Sequence, residues 1–379
     1  MRIGLNLIAL RPKQGAGVER FARNVVGSMR FGHDHKLWVG IRADARLANL
    51  LGEHFVSANT VGAVSRWRSL GTISRLLIEM ILLCSKTYSL DAVLSINNFG
   101  PLVGKPGQRR VVVIMDVWFL ESVFDGSWLK RCLFEVLIRI QLLSTTHIVT
   151  ISEFSKKAII RHLKVDEKRI TVVHPCVPPS FITIDGSAKE NPTDAATDPV
   201  FPGEYFLMVG SNRPNKNIWR GVHGYLEFAR RTINPPSVCI VGHYSDGYKD
   251  RLKSVISADL APLVVIRGFV SDEEYRQLIE GCIGVVFPSL YEGFGIPIVE
   301  AMESGKKILV SEGTVCEEIA GKFGISVDAK DELQISLGLA ALFDTRNVDL
   351  PQKSSRDLGR YQDCPSAGRD LLKALVANG

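Results

Sequence analysis

A chain of 379 residues is too long for one ordinary core and suits two domains of typical size. With 46% apolar and 23% charged residues it is neither disordered nor membrane-filling, and its seven scattered cysteines, with no Cys-x-x-Cys, predict reduced thiols rather than a disulfide framework or a zinc site. The net charge of +6 is uneven: residues 1–180 hold 25 Lys and Arg against 13 Asp and Glu, a balance of +12, and the remainder carries −6, so the first half is expected to face something anionic, a phosphate-bearing acceptor or a membrane surface.

The opening run MRIGLNLIALRPKQG has no small-residue cleavage site and reads as a strand, not a signal peptide. Nearly continuous apolar runs at 2–9, 36–41, 92–96, 110–115, 147–152 and 170–174 predict parallel strands covered by helices on both faces. Between them, 66–83 and 127–143 join Trp and Arg or Lys to broad apolar surfaces, which fits a core-covering layer or a face resting on lipid headgroups. The stretch 76–84 is broken by Glu79 and too short to span a bilayer. Residues 183–203, rich in Pro, Gly, Asp and Thr, read as a linker. Strand runs then resume at 205–211, 237–242, 263–268, 284–289, 307–311 and 324–328. The expectation is α/β: two Rossmann-like doubly wound domains, 1–182 and 204–355, around a central cleft, with 356–379 as a closing helix returning to the first.

In YEGFGIPIVEAME (291–303), Glu292 precedes a Gly-Phe-Gly turn and Glu300 follows within an apolar run. Pro297 suits a first helical turn, so the helix would aim free N–H groups at an anion such as a diphosphate. Glu300 could then accept from ribose hydroxyls and Glu292 from another hydroxylated group. On spacing alone, a helix-dipole acid and a loop charge explain the pair equally well.

SLYEGFGIPIVEAMESG resembles the signature of the retaining glycosyltransferases of family 4, which have the GT-B fold. YFLMVGSNRPNKN (205–217), HIVTISEFSKKAI (147–159), VHPCV (173–177), GAGVERFARNVV (15–26) and EEIAG (317–321) are similar to further segments of that family in the same order. The resemblance implies that Glu300 binds the donor ribose and Glu292 the transferred sugar. It implies that backbone amides around Phe294, Gly295 and Ile296 hold the distal phosphate, with Lys216 on the diphosphate. Gly15 and Gly17 would let a loop approach the reacting centre, and Gly210 would lie along the donor. The family's phosphate-contacting Arg falls on Asn215, and Arg213 would stand in for it. Where the family has His-Asp, the chain reads Met115-Asp116. A thioether hydrogen-bonds weakly, so either the donor sugar lacks the hydroxyl that His would hold, as in a 6-deoxy sugar, which is the preferred reading, or activity is weakened, while Asp116 either joins the site or caps the next turn.

The expected activity is transfer of a hexose or deoxyhexose, mannose- or rhamnose-like, from a nucleoside-diphosphate sugar to a glycan or lipid-linked acceptor in surface polysaccharide synthesis. Front-side attack would be assisted by Glu292, Lys216, Arg213 and Asp116. No Asp-x-Asp accompanies the motif, so no metal is expected, and no nucleic acid partner. The expected location is cytoplasmic, with peripheral contact at the inner membrane face. A sugar-nucleotide epimerase or hydrolase, and a non-catalytic glycan- or partner-binding homologue, are the competing readings. An NAD-dependent dehydrogenase is set aside because Arg20 occupies the third glycine position after Gly15 and Gly17.

Overall fold

The computed structural model describes residues 1–7, 17–31, 35–42, 60–65, 80, 81, 83–96, 98–122, 124, 126–177, 201, 203–346 and 355–376. The predicted linker 183–203 lies almost wholly outside the described residues, as do Gly15 and nearly all of the helical segment 66–83. The chain divides into two compact units, Met1–Pro178 with Arg360–Gly379, and Pro179–Gly359.

The first unit holds β1 (Arg2–Asn6), α1 (Gly17–Asn24), β2 (Lys36–Arg42), β3 (Thr60–Ser65), α2 (Leu83–Thr87), β4 (Ala92–Ser95), β5 (Arg109–Val113), α3 (Trp128–Ser144), β6 (His147–Thr150), α4 (Glu153–Leu163) and β7 (Ile170–Val172). Its sheet runs β3-β2-β1-β4-β5-β6-β7, every pair parallel. The strand β3 lies in a stretch that reads as no element in the sequence. Its residues TVGAVS mix Gly, Ala and Ser with only three β-branched side chains, and pairing along all six of them with β2 supplies what propensity does not.

The second unit holds β8 (Tyr205–Ser211), α5 (Ile218–Arg231), β9 (Ser237–His243), α6 (Asp246–Lys253), β10 (Val264–Gly268), α7 (Asp272–Gly281), β11 (Gly284–Phe287), α8 (Ile296–Glu303), β12 (Ile308–Ser311), α9 (Val315–Ala320), β13 (Gly324–Val327) and α10 (Glu332–Asp344). The order β10-β9-β8-β11-β12-β13 is again wholly parallel. Strand order reverses between β8 and β11, and the crevice at the carboxyl ends of such a pair is where doubly wound sheets bind ligands. Beneath it, Phe206, Met208, Val286 and Leu309 from three adjacent strands pack with Val222, Ile335 and Leu339 of α5 and α10 into one buried cluster.

The chain passes between units a second time within α11 (Ser355–Gln362) and ends its described course in α12 (Cys364–Val376), which packs on β4, β5 and β6. Arg109 Nε donates to Ala374 O at 2.8 Å, and Val177 N donates to Tyr361 O at 2.7 Å. Here the expectation of uniformly reduced cysteines is overturned: Cys176 and Cys364 form a disulfide, with Cα atoms 5.3 Å apart across 188 residues of sequence. No local spacing could announce it, because the partners meet only once α12 has docked. Asn24 Nδ2 donates to Cys176 O at 2.8 Å and Ser28 Oγ to Cys364 O at 2.6 Å, so residues at the end of α1 and just beyond it hold both cysteines in place. The other cysteines, 84, 132, 239, 282 and 316, are free thiols.

A long closed loop restrains the unfolded chain strongly, so Cys364→Ser should lower the unfolding free energy by about 2–4 kcal/mol. The check is a denaturant midpoint that falls in the variant, falls equally in the native chain given reductant, and does not fall further when reductant is added to the variant.

Candidate active site

The loop after β8 begins Asn212, Arg213, Pro214 and turns through a short 3-10 segment, Pro214–Lys216. It ends on Asn217, whose backbone is left-handed (φ 56°), a conformation that Asn tolerates better than most residues. From there the side chain, 4% exposed, donates to Pro288 O at 3.1 Å and to Ala329 O at 2.7 Å. One amide thus ties the start of α5 to the chain beyond β11 and beyond β13. Asn217 has no expected role in the sequence, where its one signal is an Asn immediately before an apolar helix.

Asn215 makes a second tie: its Nδ2 donates to Tyr291 O at 3.0 Å, and its carbonyl accepts from Leu290 N at 2.8 Å. These bonds set the β8 loop against the segment 290–292 and so bring together the two residues between which the charge is shared. Lys216 Nζ donates to Glu292 Oε1 at 2.6 Å. Side-chain exposures of 24% and 14% put the pair where water screens it only partly. The same ammonium lies 5.3 Å above the ring of Phe287, the last residue of β11.

After Glu292 the chain turns through Gly295, at φ 102°, into α8. A side chain there would be strained by that φ and would bring a Cβ to 2.9 Å from Ile298 Cδ1. The helix has no side-chain cap at Gly295 and carries Pro in its first turn, so its amide end is left to the backbone and to any anion that docks. Glu300 and Glu303 of α8 are each 1% exposed. Glu300 is the one expected from the sequence; Glu303 is a second buried carboxylate on the same helix.

The glycine predicted along the donor, Gly210, is held by its own neighbours. A Cβ there would lie 2.5 Å from Ile218 Cδ1, and its carbonyl oxygen fills the place where a Cβ on Gly242 would stand, at 1.7 Å. Close contact between β8 and β9 therefore requires Gly242, which the sequence reading also passed over. Arg213 accepts Lys216 N at its carbonyl, at 3.0 Å, and its side chain makes no ion pair among the described residues. Cys316 lies within electrostatic reach of the Lys216–Glu292 pair. Burial, reinforced by the Glu292 carboxylate and opposed by Thr314 and Lys216, pushes its thiol up to about 12, so it stays protonated and adds no charge to the site.

The remaining predicted residues belong to the first unit. Gly17 is the first residue of α1. Met115 is buried, and its carbonyl accepts from Ser155 Oγ at 3.0 Å. Asp116 Oδ1 accepts from Trp118 N at 3.3 Å, the turn-capping geometry that was one of its two readings. The structure thus gathers Gly210, Arg213, Asn215, Lys216, Glu292, Phe294, Gly295, Ile296 and Glu300 in one unit, with Met115, Asp116 and Gly17 in the other.

Residues 199–361, which contain all of the gathered set, match the family described as glycosyl transferases group 1. The match lies almost wholly in the second unit, so it is this part of the chain that is similar to that family. It is similar to the O-antigen chain mannosyltransferase RfbU of Salmonella typhimurium, at 28% identity over 55% of this chain and 54% of that one. It is also similar to the O-antigen chain mannosyltransferase B of Escherichia coli, at 29% over 50% and 49%. The chain spans about half the length of these relatives. Among solved structures, the Anabaena protein Alr3699/HepE in complex with UDP superposes with a TM-score of 0.69 at 15% identity, covering 98% of each chain. That likeness is one of fold: with its two wholly parallel doubly wound sheets the chain has the GT-B architecture.

Asn217→Ala leaves two buried carbonyls unpaired in a backbone position that Ala resists, and should cost about 2–4 kcal/mol of stability. Asn217→Gly, which accepts the left-handed backbone, should recover part of that loss. Paired chemical denaturation curves check both, and equal losses would place the whole effect in the hydrogen bonds.

Proposed function

We propose that the chain is a retaining glycosyltransferase that moves a mannose- or rhamnose-like hexose or deoxyhexose from a nucleoside-diphosphate sugar to a glycan or lipid-linked oligosaccharide hydroxyl. The setting is O-antigen or capsule-type polysaccharide synthesis at the cytoplasmic face of the membrane. The observation that carries this reading is the Lys216–Glu292 pair at 2.6 Å, set ahead of the uncapped amide end of α8. Support for the sugar comes from the relatives, which are O-antigen mannosyltransferases, and support for the nucleotide from the UDP bound in the HepE structure.

In this reading the ion pair stores the two groups the donor needs. An arriving diphosphate competes for the Lys216 ammonium and frees the Glu292 carboxylate to accept from sugar hydroxyls. The diphosphate then lies against Lys216, Arg213 and the backbone at Phe294, Gly295 and Ile296, and Glu300 accepts from the ribose. With Glu292 assigned to the sugar hydroxyls and Glu300 to the ribose, neither carboxylate of the motif is proposed as a nucleophile. Retention is therefore proposed to proceed by front-side attack, with the departing phosphate taking the acceptor's proton as the glycosidic bond to it breaks. The protein contributes positioning and stabilisation of the developing phosphate charge. Lys216 and Arg213 fill the charge-neutralising role that a divalent cation has elsewhere, so turnover is proposed to be metal-independent. Met115, in the place of the family's His, is proposed to favour a 6-deoxy donor because it offers no strong hydrogen bond to a 6-hydroxyl.

Charge-assisted contacts of this kind contribute about 1.5–3 kcal/mol each. Lys216→Ala should therefore lower kcat by about 10- to 100-fold, and Glu292→Gln by a similar factor, with protein stability largely kept. Thermal shift against UDP-, GDP- and dTDP-sugars identifies the base, since a ligand that binds the folded state raises the midpoint. Transfer assays with the stabilising donor then give the anomeric configuration by NMR. An inverted product, loss of turnover with chelator, or a Glu292→Gln enzyme of full activity would overturn the mechanism. Donor binding without transfer to any acceptor would favour a non-catalytic glycan-binding homologue.

A further inference from the structure

The helix α3 has 17 residues and buries only part of its circumference. Its inward face places Ile138 and Gln141 in the interior of the first unit, where Gln141 Oε1 accepts from Gly100 N at 3.0 Å, and Phe134 packs against Phe119. The opposite face should be the polar one. Instead Trp128 (76% exposed), Leu129, Cys132, Val136, Ile140 and Leu143 (88% exposed) all stand in solvent. From Leu129 to Leu143 they recur in steps of three and four residues, so they form one stripe along the whole helix. Scattered surface leucines need no explanation, but a stripe of six on one helix does.

The charges on and beside this stripe are mainly basic. Arg139 lies at its edge, exposed and paired with Glu135 at 2.8 Å, and Lys130 is exposed in the first turn of the same helix. The sequence up to residue 180 carries the +12 balance of the chain. Among the described residues no helix is long and apolar enough to cross a membrane. An apolar stripe with an indole at one end and cations at its margins has the chemistry of a helix lying in the plane of a headgroup layer, with aliphatic side chains among acyl chains and ammonium and guanidinium groups at the phosphates.

We infer that the outward face of α3 is a docking surface for an anionic lipid bilayer, entered by Trp128, Leu129, Val136, Ile140 and Leu143. The inference takes its purpose from the lipid-linked acceptor proposed above, and it assigns the membrane contact to named side chains of the first unit. Cys132, in the middle of the stripe, would be shielded from water-soluble thiol reagents whenever the helix is seated.

The test uses the whole chain and needs no turnover. Co-sedimentation is measured with vesicles of phosphatidylcholine alone and with phosphatidylglycerol added, at low and high salt. The native chain should bind the anionic vesicles and weaken with salt. The Leu129→Glu/Leu143→Glu variant, altered only at exposed positions, should bind at least about tenfold more weakly with an unchanged unfolding midpoint. Alkylation of Cys132 should slow when anionic vesicles are present. Failure of the native chain to bind, or full binding by the variant, overturns the proposal. So does a solution dimer that the variant dissociates without any vesicle binding, which would give the stripe to a second copy of the chain. Transfer to a water-soluble acceptor, assayed in parallel, fails only if the transferase reading is wrong.

Discussion

The candidate site depends on one side-chain amide. Asn217 reaches from the left-handed residue at the head of α5 to carbonyls of Pro288 and Ala329, and with Asn215 it locks the β8 loop onto the chain after β11. Lys216, caught between these two asparagines, has little choice of direction, and its ammonium meets Glu292. The strand order makes this necessary. The strands β8 and β11 are paired at the reversal point but far apart in sequence, and the cross-loop bonds carry their alignment on into the two loops at their carboxyl ends.

Fold and site were legible to different degrees. The parallel strands could be read because residues such as Val285 and Val286, or Val111 and Val112, are buried on both faces and leave an unbroken apolar run. The strand β3 could not, because Thr60 to Ser65 includes Gly62 and Ala63, and its strand state comes from β2 beside it. Within the site, the Gly295 turn and the helix after it were visible as glycine and proline chemistry. The ion pair was not: Lys216 and Glu292 were each assigned to the donor, but nothing in one dimension shows two residues of adjacent loops meeting each other. The same limit hid the disulfide, and hid the position of Cys316 beside the pair.

The resting state of the site has a charge logic of its own. A lysine left alone in a half-buried loop would attract any anion, and a carboxylate left there without it would be costly to keep ionised. Paired, each group stabilises the other until a ligand able to engage both arrives.

The Cys176–Cys364 bond also bears on the order in which the chain is made. Everything from Pro179 to Gly359 lies between the two sulfurs, so the whole six-stranded sheet of the second unit leaves the ribosome while Cys176 is still a lone thiol. The first unit, although begun first, gains α12 only after the second has its full complement of strands. Vectorial synthesis usually lets the N-terminal domain finish first; in this protein the later-made unit can finish while the earlier one waits, open along β4, β5 and β6, for its last helix.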